Sequence, residues 1–235
     1  MLNNTMTKLF VGLVAFLGFG LCAASARDIS VNINIYKFVF IRSVGTRSNR
    51  SALESEYWYK SGGQWHSFSV DGNRASISYT GSDRLTLFKK IGKDEKDDKS
   101  FSPLQEVILP SSARDIFLLM IERNGSAEFF PMNVSPDRMP RGKIAVMNLS
   151  ARALGVMFDK EMGGLKRGSH HIFTPSKKTG DNPIPIQIAT RVDGKWEVIY
   201  KNRVRCEKSK RNILLIYDTS TNSKLPQFNV RTVEY

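Results

Sequence analysis

The hexapeptide Arg114-Asp115-Ile116-Phe117-Leu118-Leu119 returns later in the chain as Arg211-Asn212-Ile213-Leu214-Leu215-Ile216. A cation, a short polar residue and an unbroken apolar run recur in the same order. Such a run is too short for a buried helix and suits a strand covered on both faces. Two copies of that strand imply two copies of one structural unit. Phe129-Phe130-Pro131-Met132-Asn133-Val134 also matches Leu225-Pro226-Gln227-Phe228-Asn229-Val230 loosely at a nearly equal offset. Gly63-Gln64-Trp65 echoes Gly194-Lys195-Trp196, each a Gly-x-Trp after a turn. On this alignment the earlier copy carries an insertion over 71–102. It includes the charge-rich run Lys93-Asp94-Glu95-Lys96-Asp97-Asp98-Lys99. Ser135 to Arg141, polar and carrying Pro136 and Pro140, is the expected linker.

The remaining pattern is that of strands. Val31, Ile33, Ile35 and Lys37 alternate with Asn32, Asn34, Tyr36 and Phe38, and Val39-Phe40-Ile41 continues as an apolar run. Ala75–Tyr79 and Leu85–Phe88 flank Thr80-Gly81-Ser82-Asp83, which predicts a hairpin. Asp193-Gly194 predicts a tight hairpin turn, because both residues tolerate positive φ. No window carries a long capped stripe of helical period. The best helical candidate, Ser51 to Tyr59, stops at Gly62-Gly63. The expected fold is all-β, with two tandem immunoglobulin-like antiparallel β-sandwich domains over 27–135 and 142–235. A linker at 136–141 joins them, and the first carries a charged insertion near 92–100.

Residues 1–26 have the layout of a cleaved signal peptide. Lys8 precedes an apolar run from Leu9 to Cys22, and Ala24-Ser25-Ala26 offers a small-residue cleavage site. The run is shorter than the roughly 20 residues a membrane helix needs. The expected product is exported, periplasmic or extracellular, with no stable membrane span after cleavage. Cleavage removes Cys22 and leaves Cys206 alone, so no internal disulfide forms and the core must hold the fold. Cys206 lies between Arg205 and Glu207, and nearby cations can lower a thiol pKa. Its expected role is nonetheless that of a small side chain on a strand face.

A strand from Lys143 to Met147 runs into Asn148-Leu149-Ser150, followed by a second strand, a Leu-x-x-Gly turn at Leu165 to Gly168 and a third short strand. This arrangement resembles small exported bacterial β-sandwich proteins of unknown function. The later Gly-x-Trp strand and the terminal Phe-Asn-Val-Arg strand fit the same picture. The resemblance covers residues 140–235 directly and implies fold and export, with no catalytic residues to carry over. A weaker likeness is to periplasmic pilus-assembly chaperones, which are similarly basic and exported. It rests on Ser112-Ala113-Arg114-Asp115 before an apolar strand.

Little in the chain points to catalysis. The sequence contains no nucleophile elbow, phosphate loop, dinucleotide fingerprint or zinc-protease motif. His170-His171 would point to opposite faces of a strand and so could not share a metal. His66 follows Trp65 and should sit opposite the indole. The carboxylates Asp94, Glu95, Asp97 and Asp98 are interleaved with lysines and suit a solvated loop better than a calcium site. No metal and no cofactor is expected.

The formal charge of +13 carries more information. Lys201, Arg203, Arg205, Lys208 and Lys210 form a dense run, with Arg138, Arg141 and Lys143 flanking the linker. In an extended strand Lys201, Arg203 and Arg205 share one face at about 7 Å spacing, a candidate anion-binding stripe. In Tyr57-Trp58-Tyr59 alternation sends Tyr57 and Tyr59 to one face as candidate aromatic ligand contacts and Trp58 to the core. Trp65 and Trp196 are also expected in the core. The expected function is a non-catalytic exported binding or structural protein of the cell envelope contacting an anionic polymer. A periplasmic chaperone-like protein for a secreted subunit is the alternative and an envelope hydrolase the third reading. Nucleic acid is not an expected partner. Asn49, Asn124, Asn133 and Asn148 begin Asn-x-Ser sequons.

Overall fold

The apolar runs at 116–121 and 213–216 are unbroken because each lies in a sheet buried from both sides. A computed structural model describes residues 28–39, 56–70, 73–123, 126–176, 183–220 and 227–234. The segment 1–26, with Cys22, and the sequons at Asn49 and Asn124 lie outside the described residues. The first half comprises β1 (Asp28–Val39), β2 (Tyr57–Ser61), β3 (Gln64–Phe68), β4 (Arg74–Ser82), β5 (Arg84–Lys90), β6 (Phe101–Ile108), β7 (Asp115–Arg123) and β8 (Ser126–Asn133). The second comprises β9 (Ile144–Asn148), β10 (Leu154–Phe158), β11 (Glu161–Leu165), β12 (His170–Phe173), β13 (Ile184–Val192), β14 (Lys195–Val204), β15 (Asn212–Ser220) and β16 (Gln227–Glu234).

The strands form four sheets: A, in order β4-β1-β7-β8; B, β3-β2-β5-β6; C, β12-β9-β15-β16; and D, β11-β10-β13-β14. Adding eight to each strand number in A and B gives C and D. Orientation follows too, since β1 runs parallel to β7 and β9 parallel to β15, with every other pair antiparallel. The all-β class is as expected. The order differs from the immunoglobulin one, in which the third, sixth and seventh strands share a sheet; here the third and sixth lie with the second and fifth.

Three cores hold the layers in the sequence B, A, C, D. Ile33, Ile35, Ile116, Leu118 and Met120 face sheet B, where they meet Tyr57, Tyr59, Phe68, Leu85 and Leu87. The alternate residues Tyr36, Phe38, Phe117, Leu119 and Ile121 face sheet C and pack on Ala145, Met147, Ile213 and Leu215. Ile144, Val146, Leu214 and Ile216 turn the other way, toward Val156, Ile186 and Ile188 of sheet D. The period of two in β1, β7, β9 and β15 therefore feeds two cores from each strand. Across the middle, Phe38 meets Tyr217 edge-on at 5.0 Å and Arg167 pairs with Glu128 at 2.8 Å. Gly168, at φ +72°, lies so close to Phe130 that a Cβ would stand 2.8 Å from the ring.

Several expectations give way to this arrangement. β4 and β5 are not a hairpin: β4 pairs with β1 in sheet A, and β5 with β2 and β6 in sheet B. The segment 71–102 is not an insertion, since β4 and β5 both lie in it. Within that segment the extra length is the β5–β6 connection, residues 91–100, where β13 and β14 are joined by Asp193-Gly194. Residues 57–59 of the helical candidate form strand β2. The 135–141 segment is packed rather than a free linker. Ser135 and Met139 are fully buried, and Ser135 Oγ accepts from the backbone N–H of Arg114 at 2.8 Å and Asp115 at 3.2 Å. Of the three sequence matches, Arg114–Leu119 with Arg211–Ile216 joins corresponding strands in step, the Asn-Val match falls on the corresponding strands β8 and β16 but out of register, and the Gly-x-Trp match joins strands that do not correspond. Trp65 lies in β3 and Trp196 in β14, and Asn229 pairs opposite Tyr217 whereas Asn133 pairs opposite Ile116.

Candidate functional site

The outer faces of sheets B and D are the two that no other sheet covers, and the two halves treat them differently. On sheet B, Trp58, Trp65, Phe88 and Phe101 form an aromatic cluster, with Trp65 stacked on Phe101 at 3.8 Å. The charge-rich connection folds back against it. The Trp65 Nε1–H donates to Asp98 Oδ1 at 2.8 Å, Lys60 donates to the same carboxylate at 3.2 Å, and the Lys90 ammonium lies 4.9 Å over the Trp58 ring. The Trp65 indole N–H, followed by Lys60, holds the Asp98 carboxyl below the usual range. The carboxylates of 94–98 thus serve the loop itself. Asp97 caps the short 3₁₀ turn Asp98–Ser100, and Asp94 accepts from the Lys96 backbone N–H.

Sheet D has only the two-residue turn Asp193-Gly194, at φ 49° and 80°, in place of that connection, so among the described residues nothing covers its outer face. Register defines the face row by row. Met162, Met157, Gln187 and Lys201 stand abreast; the next row is Gly164, Gly155, Ala189 and Val198. Beyond these, Arg191 stands opposite Trp196 and Pro185 opposite Arg203. Met162 is 74% exposed, Trp196 53% and Val198 50%. The Trp196 ring lies across Gly155, where a Cβ would come within 3.6 Å of it, and the Arg191 guanidinium is 5.7 Å from the ring centre.

A β-bulge makes this face. Tyr200 pairs with Ile188 and Val198 with Ala189, so Ile199 is the extra residue. An inserted residue reverses the alternation beyond it. Trp196 and Val198 therefore share a face with Lys201 and Arg203, although strict alternation would set them opposite. The expectation of a core Trp196 fails for that reason, and the exposed indole joins the cationic stripe.

Lys201 and Arg203 are exposed side by side on this face, as expected. Arg205 follows beyond the end of β14, and Lys208 lies in the next turn, both exposed. Among the described residues none of these four has a carboxylate within ion-pair distance. Lys210 differs, because it pairs with Glu207 at 3.2 Å and Glu234 at 2.5 Å and so offers no free charge. Tyr57 and Tyr59, the candidate aromatic contacts, are each 5% exposed and point into the core between B and A. The face assumed open is the one sheet A covers. Tyr57 stacks on Phe68 at 5.5 Å and Tyr59 on His66 at 5.4 Å.

The histidines go to local structure. His171 Nε2 lies 3.2 Å from Glu161 Oε1, tying β12 to β11, while His170 points to the opposite face of β12. Among the described residues no group of three His, Cys, Asp or Glu stands where it could hold a metal ion, and no helix is long and apolar enough to cross a membrane. Asn148 is fully buried: its Nδ2 donates to the carbonyls of Arg152 and Leu165, and its Oδ1 accepts from Ser150.

No family model matches the chain, and no curated protein sequence matches it. Among solved structures, a leucine-rich repeat protein from Bacteroides thetaiotaomicron VPI-5482 aligns with 80% of this chain and 26% of its own, at 8% identity and a TM-score of 0.19. The chain spans well under half of that protein's length, and a likeness at this level bears on neither fold nor function.

Proposed function

We propose that this chain is a non-catalytic, exported binding protein of the cell envelope and that it contacts an anionic polymer through the outer face of sheet D. One observation carries the reading. Among the described residues, the face whose counterpart in the first half is occupied by the chain's own loop is left uncovered in the second, and it carries exposed Trp196 on the same side as Lys201 and Arg203, neither of which has a carboxylate within ion-pair distance there. An aromatic plate can stack against a sugar or other planar unit, while cations about 7 Å apart meet successive acidic groups. The signal-like layout of residues 1–26 supports export. The matching strand orders of the two halves support an origin by duplication of one eight-stranded unit.

The test is retention of the pure protein on immobilised acidic polysaccharide and phosphate polymers. Retention should weaken as salt shortens the screening length from about 10 Å at 0.1 M to about 3 Å at 1 M. It should be lost in the variant with Lys201, Arg203 and Arg205 replaced by Ala. Retention that survives those substitutions removes the stripe from the account. A second reading, a chaperone-like protein for a secreted subunit, is favoured by β14 itself, a ten-residue strand at the edge of sheet D. Co-purification of a partner that lends a strand to this edge would favour that reading.

A further inference from the structure

A second cationic feature lies at the end of the second half, away from the bare sheet face. The turn that brings the chain into β9 (Pro140, Arg141, Gly142, Lys143) meets the turn that leaves β14 (Cys206 to Lys210). Gly142 N–H donates to the Lys210 carbonyl at 3.0 Å, and Asn212 Nδ2 donates to the Glu207 carbonyl at 2.9 Å. Gly142 adopts φ +82°, and a Cβ there would come within 3.4 Å of the Lys208 carbonyl. The Gly142 backbone hydrogen bond thus holds the two turns against each other, and the Asn212 side chain fixes the second turn itself.

Between them opens a cavity of about 400 Å³, within the range of small-molecule sites. Pro140, Ile144, Pro175, Ile184 and Cys206 supply apolar lining, and Arg141, Lys143 and Lys208 line it as well. Ile144 and Ile184 are buried core residues, so the floor is the end of the C–D core. Burial pushes the Cys206 thiol up to about 12, as dry surroundings would. The nearby acids Glu207 and Glu234 are both taken by Lys210. Among the described residues, none of the three cations has a carboxylate within ion-pair distance.

The first half carries a larger residue at the corresponding position. Leu109 stands as far before Arg114 as Cys206 stands before Arg211. Leu109 is 2% exposed and fills the core there, whereas the smaller Cys206 is only partly buried. Exchanging a branched four-carbon side chain for a thiol leaves space that Leu109 takes up in the earlier copy.

We infer that this cavity binds a single-chain amphiphile, its alkyl body against Ile144, Ile184 and Cys206 and its anionic head among Arg141, Lys143 and Lys208. The head chemistry is that of an oxyanion, and a carboxylate (a fatty acid) or a phosphate monoester (a lipid phosphate) would each supply it. The site is separate from the face of sheet D and does not depend on it.

The test is calorimetric titration of the full protein, below micelle concentrations, with decanoate, decyl phosphate, decanol and inorganic phosphate. One or both anionic amphiphiles should bind, and decanol and inorganic phosphate should each bind at least about tenfold more weakly, the factor set by roughly 1.4 kcal/mol. Cys206→Leu, which copies Leu109, should abolish binding with the rim intact. Lys143→Gln with Lys208→Gln should weaken the anions at least about tenfold and leave decanol unchanged, both factors on the same scale. Bound amphiphile should slow alkylation of Cys206, read by mass on its own peptide, in the unsubstituted chain. Decanol binding as tightly as decanoate overturns the role of the cations, and inorganic phosphate matching decyl phosphate overturns that of the floor. Binding by neither anion, or binding without protection of Cys206, overturns the site.

Discussion

Replacing Leu215 by Ala tests whether the two halves share one core. Leu215 is fully buried and sits in the middle layer, between sheets A and C. Its removal costs the transfer of the lost methylenes and the cavity they leave, about 2–5 kcal/mol. For a chain of this size each kcal/mol moves the melting temperature by about 2–4 °C, so the expected fall is about 4–20 °C. The assay has built-in reporters. Trp58 and Trp65 lie in the first half and Trp196 in the second. Fluorescence of variants retaining only Trp196, or only the other two, follows each half separately during melting. Because the lost contacts span the A–C layer, both reporters should shift together by the same amount. A shift confined to Trp196, with the first half melting as before, would show that the halves unfold independently and refute the shared core.

Asn148→Ala should destabilise by about 3 kcal/mol in denaturant titration, because the Leu165 carbonyl and Ser150 lose partners inside the protein; a change below about 1 kcal/mol would contradict that. Burial, and then His171, hold the His170 imidazole below its ordinary value. The unfolded chain then binds protons that the folded chain does not, so stability should fall as pH drops below about 6.5. His170→Gln should flatten that slope in denaturant midpoints measured between about pH 7 and pH 5. The Cys206 thiol, pushed up to about 12, should react with iodoacetamide at pH 8 at least about a hundredfold faster in denaturant than when folded. The same shift makes the unfolded thiol the first to ionise, so its contribution to stability should be lost as pH rises above about 9. Gly168→Ala should lower the melting temperature, since the residue is held at φ +72° against the Phe130 ring.

The strands were legible where local chemistry alone fixes them. Ile116–Ile121 and Ile213–Ile216 declare buried strands by their continuous apolarity, and Asp193-Gly194 declares its hairpin by its tolerance of positive φ. Short strings say little where their chemistry is generic. Gly-x-Trp follows many turns, and it occurs in β3 and β14, which do not correspond. Spacing puts Lys201 and Arg203 on one face of the strand but sets Trp196 and Val198 on the other. The bulge at Ile199 that turns them outward comes from pairing with β13 and leaves no mark in the alternation. For Tyr57 and Tyr59 alternation says that the two share a face, not that this face meets another sheet.

The amino-acid order by itself determined an all-β chain with a recurring apolar strand and an excess of cations, since periodicity, turn chemistry and charge are local properties. Tertiary structure alone decided that sheets A and C stack into a common core and that 91–100 covers one outer face while no described segment covers the other. It also decided that Arg141 and Lys143 meet Lys208 across a cavity. These depend on which surfaces bury one another, and that is settled by contacts between residues far apart in the chain.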